Sequence, residues 1–205
     1  MKLIDISNDL LTAEVYEGDP VPELRAVQSM EAGDRYNLGV LTAGLHNGTH
    51  IDAPLHFLSG GADVSKVPLD ACIGPCRVLE VTPGVITGEV VENSFPRGCE
   101  RLLLKSGGRA FIHETAAQAM AYYGCRLVGT DALSIDPEYD QTGAAHIAFL
   151  RENVVILEGL NLSAVRGGDY FLIAPPVKIG EAEAAFARAV LVSDYIFWSG
   201  KGPQA

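Results

Sequence analysis

Three of the chain's five histidines and a carboxylate fall within the eleven residues His46-Asn47-Gly48-Thr49-His50-Ile51-Asp52-Ala53-Pro54-Leu55-His56. Imidazole nitrogen and carboxylate oxygen are ligands that Zn²⁺, Mn²⁺ and Fe²⁺ share, so the chemistry first indicated is that of a divalent cation. His46, His50, Asp52 and His56 all occupy even positions, and in extended chain they would project from one face. Asn47-Gly48 and Pro54 oppose a continuous helix, which leaves a bent strand or loop rich in ligands. A second carboxylate, Glu158, directly follows the apolar run Val154-Val155-Ile156-Leu157. A charge at the end of a buried strand requires a cation or hydrogen-bond donors to offset its desolvation.

The cluster resembles the H-x-G-T-H-x-D-x-P-x-H signature of the metal-dependent cyclase family, which includes bacterial kynurenine formamidase (arylformamidase) and isatin hydrolase. Gly48-Thr49-His50, Asp52, Pro54 and His56 match it, with Asn47 as the first spacer. Ile73-Gly74-Pro75 with Arg77-Val78 is similar to the strand that follows the motif in that family. Val128-Gly129-Thr130-Asp131 with Ser134-Ile135-Asp136 is similar to its G-x-D-x-x-S-x-D segment. His146 to Asn161 resembles its second ligand segment, and Ala174-Pro175-Pro176 with Lys178-Ile179 its C-terminal run.

The resemblance implies a first metal held by His46, His50 and Asp52. Asp52 would bridge to a second ion that also takes His146, with Glu158 shared between the two. Two ions per subunit, zinc or manganese, would lower the pKa of a shared water and leave room for a substrate carbonyl. His56 takes the place of the family's general acid/base, and an unperturbed pKa near ~6.5 suits that task. Tyr16 of Tyr16-Glu17-Gly18-Asp19 stands where formamidases show a tryptophan that packs an aromatic substrate. The leading expectation is an arylformamidase that hydrolyses N-formyl-L-kynurenine to L-kynurenine and formate. A cyclic-amide (isatin-like) or other small amide or ester hydrolase, and a non-catalytic metal-binding scaffold, are the alternatives. The resemblance also implies a homodimer or dimer of dimers.

The elements that must position these residues follow from the rest of the chain. At 205 residues, 48 % hydrophobic and 20 % charged, it reads as one domain over 1–205 with a substantial core. A formal charge of −11 argues against nucleic acid or an anionic membrane as partner. The N-terminus lacks the pattern of a signal peptide, and no apolar run approaches the ~18 residues of a membrane span, so a cytoplasmic protein with a small-molecule substrate is expected. Cys72, Cys76, Cys99 and Cys125 form no C-x-x-C pair and read as reduced thiols.

Strands are expected at Leu3 to Ile6, Arg77 to Val81, Arg101 to Lys105, Arg126 to Gly129, Val154 to Leu157 and Ala189 to Val192. Helices are expected at Glu114 to Tyr123, closed by Gly124, at Ala144 to Arg151, and through Asn93 with Thr87 as cap. His113 reads as a cap or surface residue, and Asp131, Ser134 and Asp136 as strand-end and turn residues with a possible role behind the ligands. The pattern gives a single α/β domain. The resemblance refines this to a swivelling β/β/α fold with a mixed sheet.

Overall fold

A computed structural model describes residues 1–137 and 139–194. Thirteen strands form among the described residues, and the first seven are β1 (Lys2–Asp5), β2 (Glu23–Gln28), β3 (Leu38–Thr42), β4 (His50–Asp52), β5 (Ile73–Glu80), β6 (Gly84–Ile86) and β7 (Arg101–Lys105). They are followed by β8 (Ala110–Ile112), β9 (Leu127–Thr130), β10 (Val155–Glu158), β11 (Gly168–Ile173), β12 (Ala184–Phe186) and β13 (Val190–Ser193). The helices among the described residues are α1 (Leu69–Cys72), α2 (Gly88–Ser94), α3 (Glu114–Tyr122) and α4 (Ala144–Arg151). Each expected strand and helix is present, with ends displaced by a few residues.

Nine strands make one mixed sheet in the order β1-β13-β11-β5-β7-β9-β10-β4-β12. Its centre, β5-β7-β9-β10, is parallel, and antiparallel strands flank it on both sides. The period-two alternation of the central strands divides their apolar side chains between two cores. Leu102, Leu104, Val128 and Ile156 pack under the helices with Met120 and Phe149. Leu103, Leu127, Val155 and Leu157 face the opposite way, onto Ile51, Leu172 and Leu191. This is why Val154 to Leu157 reads as an unbroken apolar run: a parallel strand covered on both faces has no side to leave polar.

Helix α3 forms where alanine-rich sequence follows a capping group. His113 occupies the N-cap and accepts the Thr115 backbone N–H at Nδ1, as its position before the helix suggests. Gly124 closes the helix at φ +89°. Thr87 holds the N-cap position of α2, but its side chain makes no capping bond. The Thr115 hydroxyl instead accepts the Gly88 N–H at 3.0 Å. The cap is supplied by a side chain from α3, which no local sequence signal announces.

Candidate metal centre

The histidine-rich segment is built from three different local structures, and only the central one is strand. His46 lies in a turn, β4 covers His50 to Asp52, and Pro54 to His56 form one 3₁₀ turn with Pro54 at its start. Alternation therefore places His50 and Asp52 on one face with Ile51 in the core behind them. His46 and His56 reach the same place through the turns on either side, not through continued strand periodicity. The antiparallel register sets Glu158 of β10 opposite His50. Glu158 thus projects beside His50 at the carboxyl end of a parallel strand.

Two backbone contacts fix this junction. The Thr49 hydroxyl donates to the Gly159 carbonyl at 2.6 Å and accepts the Asn8 N–H at 2.9 Å. Gly159 sits at φ +64° with its Cα against the Gly48 carbonyl, so close that a Cβ would lie 2.2 Å from that oxygen. Only glycine permits both the backbone angle and the approach.

His146 arrives from α4. Asp136 accepts the Ala145 backbone N–H at 2.8 Å and the His146 N–H at 3.4 Å, which caps the helix. The same carboxylate takes a short hydrogen bond from His146 Nδ1. With Nδ1 as the donor, Nε2 presents its lone pair to the interior. His50 is fixed in the same sense, its Nδ1 donating to the Gly48 carbonyl at 3.0 Å. Carboxylate or carbonyl contacts of this kind commonly orient histidines that bind metals.

Four elements thereby bring the polar atoms together. His50 Nε2 lies 3.4 Å from Asp52 and 3.5 Å from Glu158. His146 Nε2 lies 3.4 Å from Asp52 and 3.3 Å from Glu158. His46 Nδ1 lies 3.0 Å from Asp52, and its Nε2 lies 3.6 Å from Glu183. His50, Asp52, His146 and Glu158 are all at least 95 % buried. Two sets of ligand atoms each fall within 4.8 Å of one another: His50, Asp52 and Glu158, and His46, Asp52 and His56. Asp52 belongs to both. His50 Nε2, His146 Nε2 and both Asp52 oxygens are buried without a well-formed hydrogen bond. Polar atoms left so in a native interior call for an explanation; a cation held by His50, Asp52 and Glu158 would supply one for the His50 and Asp52 atoms, while His146 belongs to neither set.

The electrostatics without a cation make the same point. Burial acts against the charged forms of both histidines, yet Asp52 and Glu158 carry His50 up to about 9, and Glu158, Asp136 and Asp52 hold His146 well above the usual imidazole range. Burial likewise acts to raise Asp52 and Glu158, but His50 and His146 keep Asp52 well below the carboxylate range, and His146 and His50 hold Glu158 down too. Protons on the imidazoles thus occupy the place that a cation would fill. His56 moves the other way: burial, reinforced by His46 and His146, pushes it down to about 4 against the pull of Asp52. At neutral pH it is an uncharged base.

A cavity of about 320 Å³ opens above the cluster, bordered by His46, His56, His146 and Glu158. Tyr16, Phe57, Leu133 and Pro137 supply its apolar wall, and among the described residues no lysine or arginine lines it. A larger hollow of about 580 Å³ shares Tyr16 and Asp136 with it but touches none of the histidines, so the chemistry belongs to the smaller one. Several contributors have no clear signature in the sequence. Phe57 lies across His146 with ring centroids 4.8 Å apart and meets His56 edge-on at 4.4 Å. Gly143, at φ +67°, leaves room for that ring, since a Cβ there would lie 2.1 Å from it. Glu183 reaches His46 from the segment before β12. Asp131 does not reach the cluster. It accepts backbone N–H groups from Ser106, Gly107 and Gly108 and so ties the end of β9 to the turn after β7.

Comparison with known proteins identifies the family and the fold. Residues 4–137 match the family model described as "Putative cyclase". A solved structure described as a potential metal-dependent hydrolase with cyclase activity is 30 % identical, with 93 % of this chain and 96 % of that one covered at a TM-score of 0.80. A predicted metal-dependent hydrolase from Bacillus stearothermophilus is 29 % identical, with 93 % and 97 % covered and a TM-score of 0.80. Isatin hydrolase A from Labrenzia aggregata, at 20 % identity, covers 94 % of both chains with a TM-score of 0.78, a likeness of fold. With the family model spanning well over half of its length, this chain belongs to the cyclase family.

Proposed function

We propose that this protein is a metal-dependent amidohydrolase for small aromatic amides, most specifically an arylformamidase converting N-formyl-L-kynurenine to L-kynurenine and formate. The observation that carries this reading is the set of buried, unpartnered ligand atoms of His50, Asp52 and His146 on the floor of a cavity walled by aromatic side chains. His46, His50 and Asp52 would hold one divalent ion, zinc or manganese, and His146 a second, with Asp52 and Glu158 shared between them. Bound there, such ions polarise an amide carbonyl and lower the pKa of water toward neutrality.

This chain's own residues supply the remainder. Asp136 and the Gly48 carbonyl hold the two imidazoles with Nε2 inward. Tyr16 and Phe57 offer ring faces to an aryl group. His56, neutral at pH 7 and bordering the cavity, takes a proton from the attacking water and returns it to the departing aniline nitrogen. A second reading keeps this machinery and opens a cyclic amide. It rests on Tyr16, which supplies a smaller ring than the formamidase tryptophan.

The test combines metal analysis with a panel of aryl formamides, cyclic amides and aliphatic formamides. Chelation should abolish hydrolysis and added Zn²⁺ or Mn²⁺ restore it. Asp52→Asn should lose more metal than any single histidine variant, because Asp52 belongs to both ligand groups. Full occupancy in both Asp52→Asn and His146→Ala would defeat the ligand assignment. A preference for cyclic amides over aryl formamides would select the second reading, and no turnover of the metal-loaded protein on any of them would leave a binding scaffold.

A further inference from the structure

Two hollows meet along one wall. Tyr16, Leu133, Ser134 and Asp136 border both the cavity of about 320 Å³ over the histidines and the hollow of about 580 Å³ beside it. Both lie at the carboxyl ends of parallel strands, where ligands of α/β proteins collect. Glu158 of β10 borders the smaller, while Lys105 of β7, Asp131 after β9 and Gly159 after β10 border the larger. Their linings differ in kind. Among the described residues no lysine or arginine lines the smaller cavity, whereas the larger one carries Lys105 and Glu14, groups of opposite charge. An ammonium has three N–H donors. The Val165 carbonyl takes one from Lys105, and Glu80 at 3.9 Å stands beyond hydrogen-bond range, so donors remain for a further acceptor. The Asp131 oxygens are already engaged by the N–H groups of Ser106, Gly107 and Gly108, and those of Asp136 by α4, which leaves exposed Glu14 as the carboxylate open to a ligand.

We infer that the larger hollow is the subsite for a zwitterionic amino-acid arm on the substrate, its carboxylate drawn to Lys105 and its ammonium to Glu14. The inference rests on the hydrolase reading of the smaller cavity, which takes the aryl amide itself. Tyr16, half exposed on the loop between β1 and β2, borders both hollows and is the wall that the arm crosses. Size points the same way. The smaller cavity, about 320 Å³, lies at the low end of the ~300–1,000 Å³ typical of ligand sites, so a substrate longer than a substituted ring must reach past Tyr16. Charge gives the arm its direction, because a carboxylate finds no cationic side chain over the histidines and finds Lys105 in the larger hollow. A compact cyclic amide would leave Lys105 and Glu14 unused.

The metal-loaded protein should be assayed on N-formyl-L-kynurenine, on N-formylkynuramine, which lacks only the carboxylate, and on 2-formamidoacetophenone, which lacks both charges. Wild-type kcat/KM should fall at least ~10-fold on loss of the carboxylate, the scale of one charge-assisted hydrogen bond, and Lys105→Gln should abolish that preference. Glu14→Gln should cost N-formylkynuramine about 2–5-fold relative to 2-formamidoacetophenone, as for an exposed ion pair. Wild-type protein that treats the three alike, or a Lys105→Gln variant that keeps the full preference, overturns the inference. Should Lys105→Gln fail to fold, Ser163→Trp decides, since Ser163 is exposed on the wall of the larger hollow. It should raise KM for N-formyl-L-kynurenine more than for 2-formamidoacetophenone, and an equal effect on both overturns the subsite. Calorimetric titration with L-kynurenine and kynuramine needs no turnover. A preference for L-kynurenine that Lys105→Gln removes supports the subsite even if no formamide is hydrolysed, a result that defeats the arylformamidase reading alone. Equal binding of the two amines, with the formamides hydrolysed, leaves that reading standing and overturns the subsite.

Discussion

Asp136→Asn should separate the metal centre from the scaffold that orients it. The Asp136 carboxylate has two tasks at the start of α4: one oxygen accepts the Ala145 N–H at 2.8 Å, and the other accepts the His146 N–H and Nδ1–H. Asparagine keeps one acceptor oxygen and replaces the other with an NH₂ group. If that NH₂ faces Ala145, the helix loses a cap bond to a donor–donor clash. If it faces His146 Nδ1, it favours the tautomer with the proton on Nε2, which cannot bind a metal. Either way one charge-assisted hydrogen bond disappears, worth about 1.5–3 kcal/mol. Placed on metal affinity, that is about 10–100-fold, the range seen when the outer partner of a metal-binding histidine is removed. Competition with a chromophoric chelator would measure the loss, and long-range ¹H–¹⁵N correlation on the imidazoles would report the His146 tautomer. Metal affinity within twofold of wild type, with Nδ1 of His146 still protonated, would refute the argument that Asp136 orients this ligand.

His56→Ala should retain metal and fold while kcat falls by about 10²–10⁴, and by less for activated esters, whose leaving groups need less protonation. Loss of metal in step with activity would make His56 a ligand alongside His46 and Asp52. The chelated protein should lose stability as pH rises. His50 is raised in the fold to about 9, so the stabilisation is fully present below the unfolded value of ~6.5 and disappears as pH climbs through 9. Metal displaces those protons, so its affinity should tighten about tenfold per pH unit for each proton released across the same window. Differential scanning of chelated and loaded protein checks both, and a chelated melting temperature that rises from pH 6.5 to 9 would contradict the assignment. Gly159→Ala should cost about 2–4 kcal/mol, or roughly 5–15 °C, because its Cβ meets the Gly48 carbonyl. Gly180→Ala, with no neighbour within 4 Å, should leave the melting temperature unchanged.

Part of the candidate ligand set was legible along the chain because its parts are local. His50 and Asp52 share a face through strand alternation alone, and a carboxylate directly after Val155-Ile156-Leu157 marks the end of a buried strand, where a charge needs a cation or donors. The strands and α3 were legible for the same reason, since period-two and capped alanine-rich patterns are decided within a few residues. What only the tertiary structure decided involves contacts between distant segments. The β4–β10 register sets Glu158 beside His50, and a slip of one residue would have turned it into the core. Asp136 is read along the chain as a turn residue that could stand behind the ligands, and only the folded α4 shows that its second oxygen meets His146. Thr87 makes no capping bond, and the Gly88 N–H at the helix start is instead met by Thr115, twenty-eight residues after Thr87. Phe57, Gly143, Gly159 and Glu183 acquire their roles through approach distances, which no periodicity encodes. Composition and local pattern thus fixed which elements form and which atoms could bind a cation. Packing and register determined which of those atoms meet, because desolvation and close contact are properties of surfaces brought together from far along the chain.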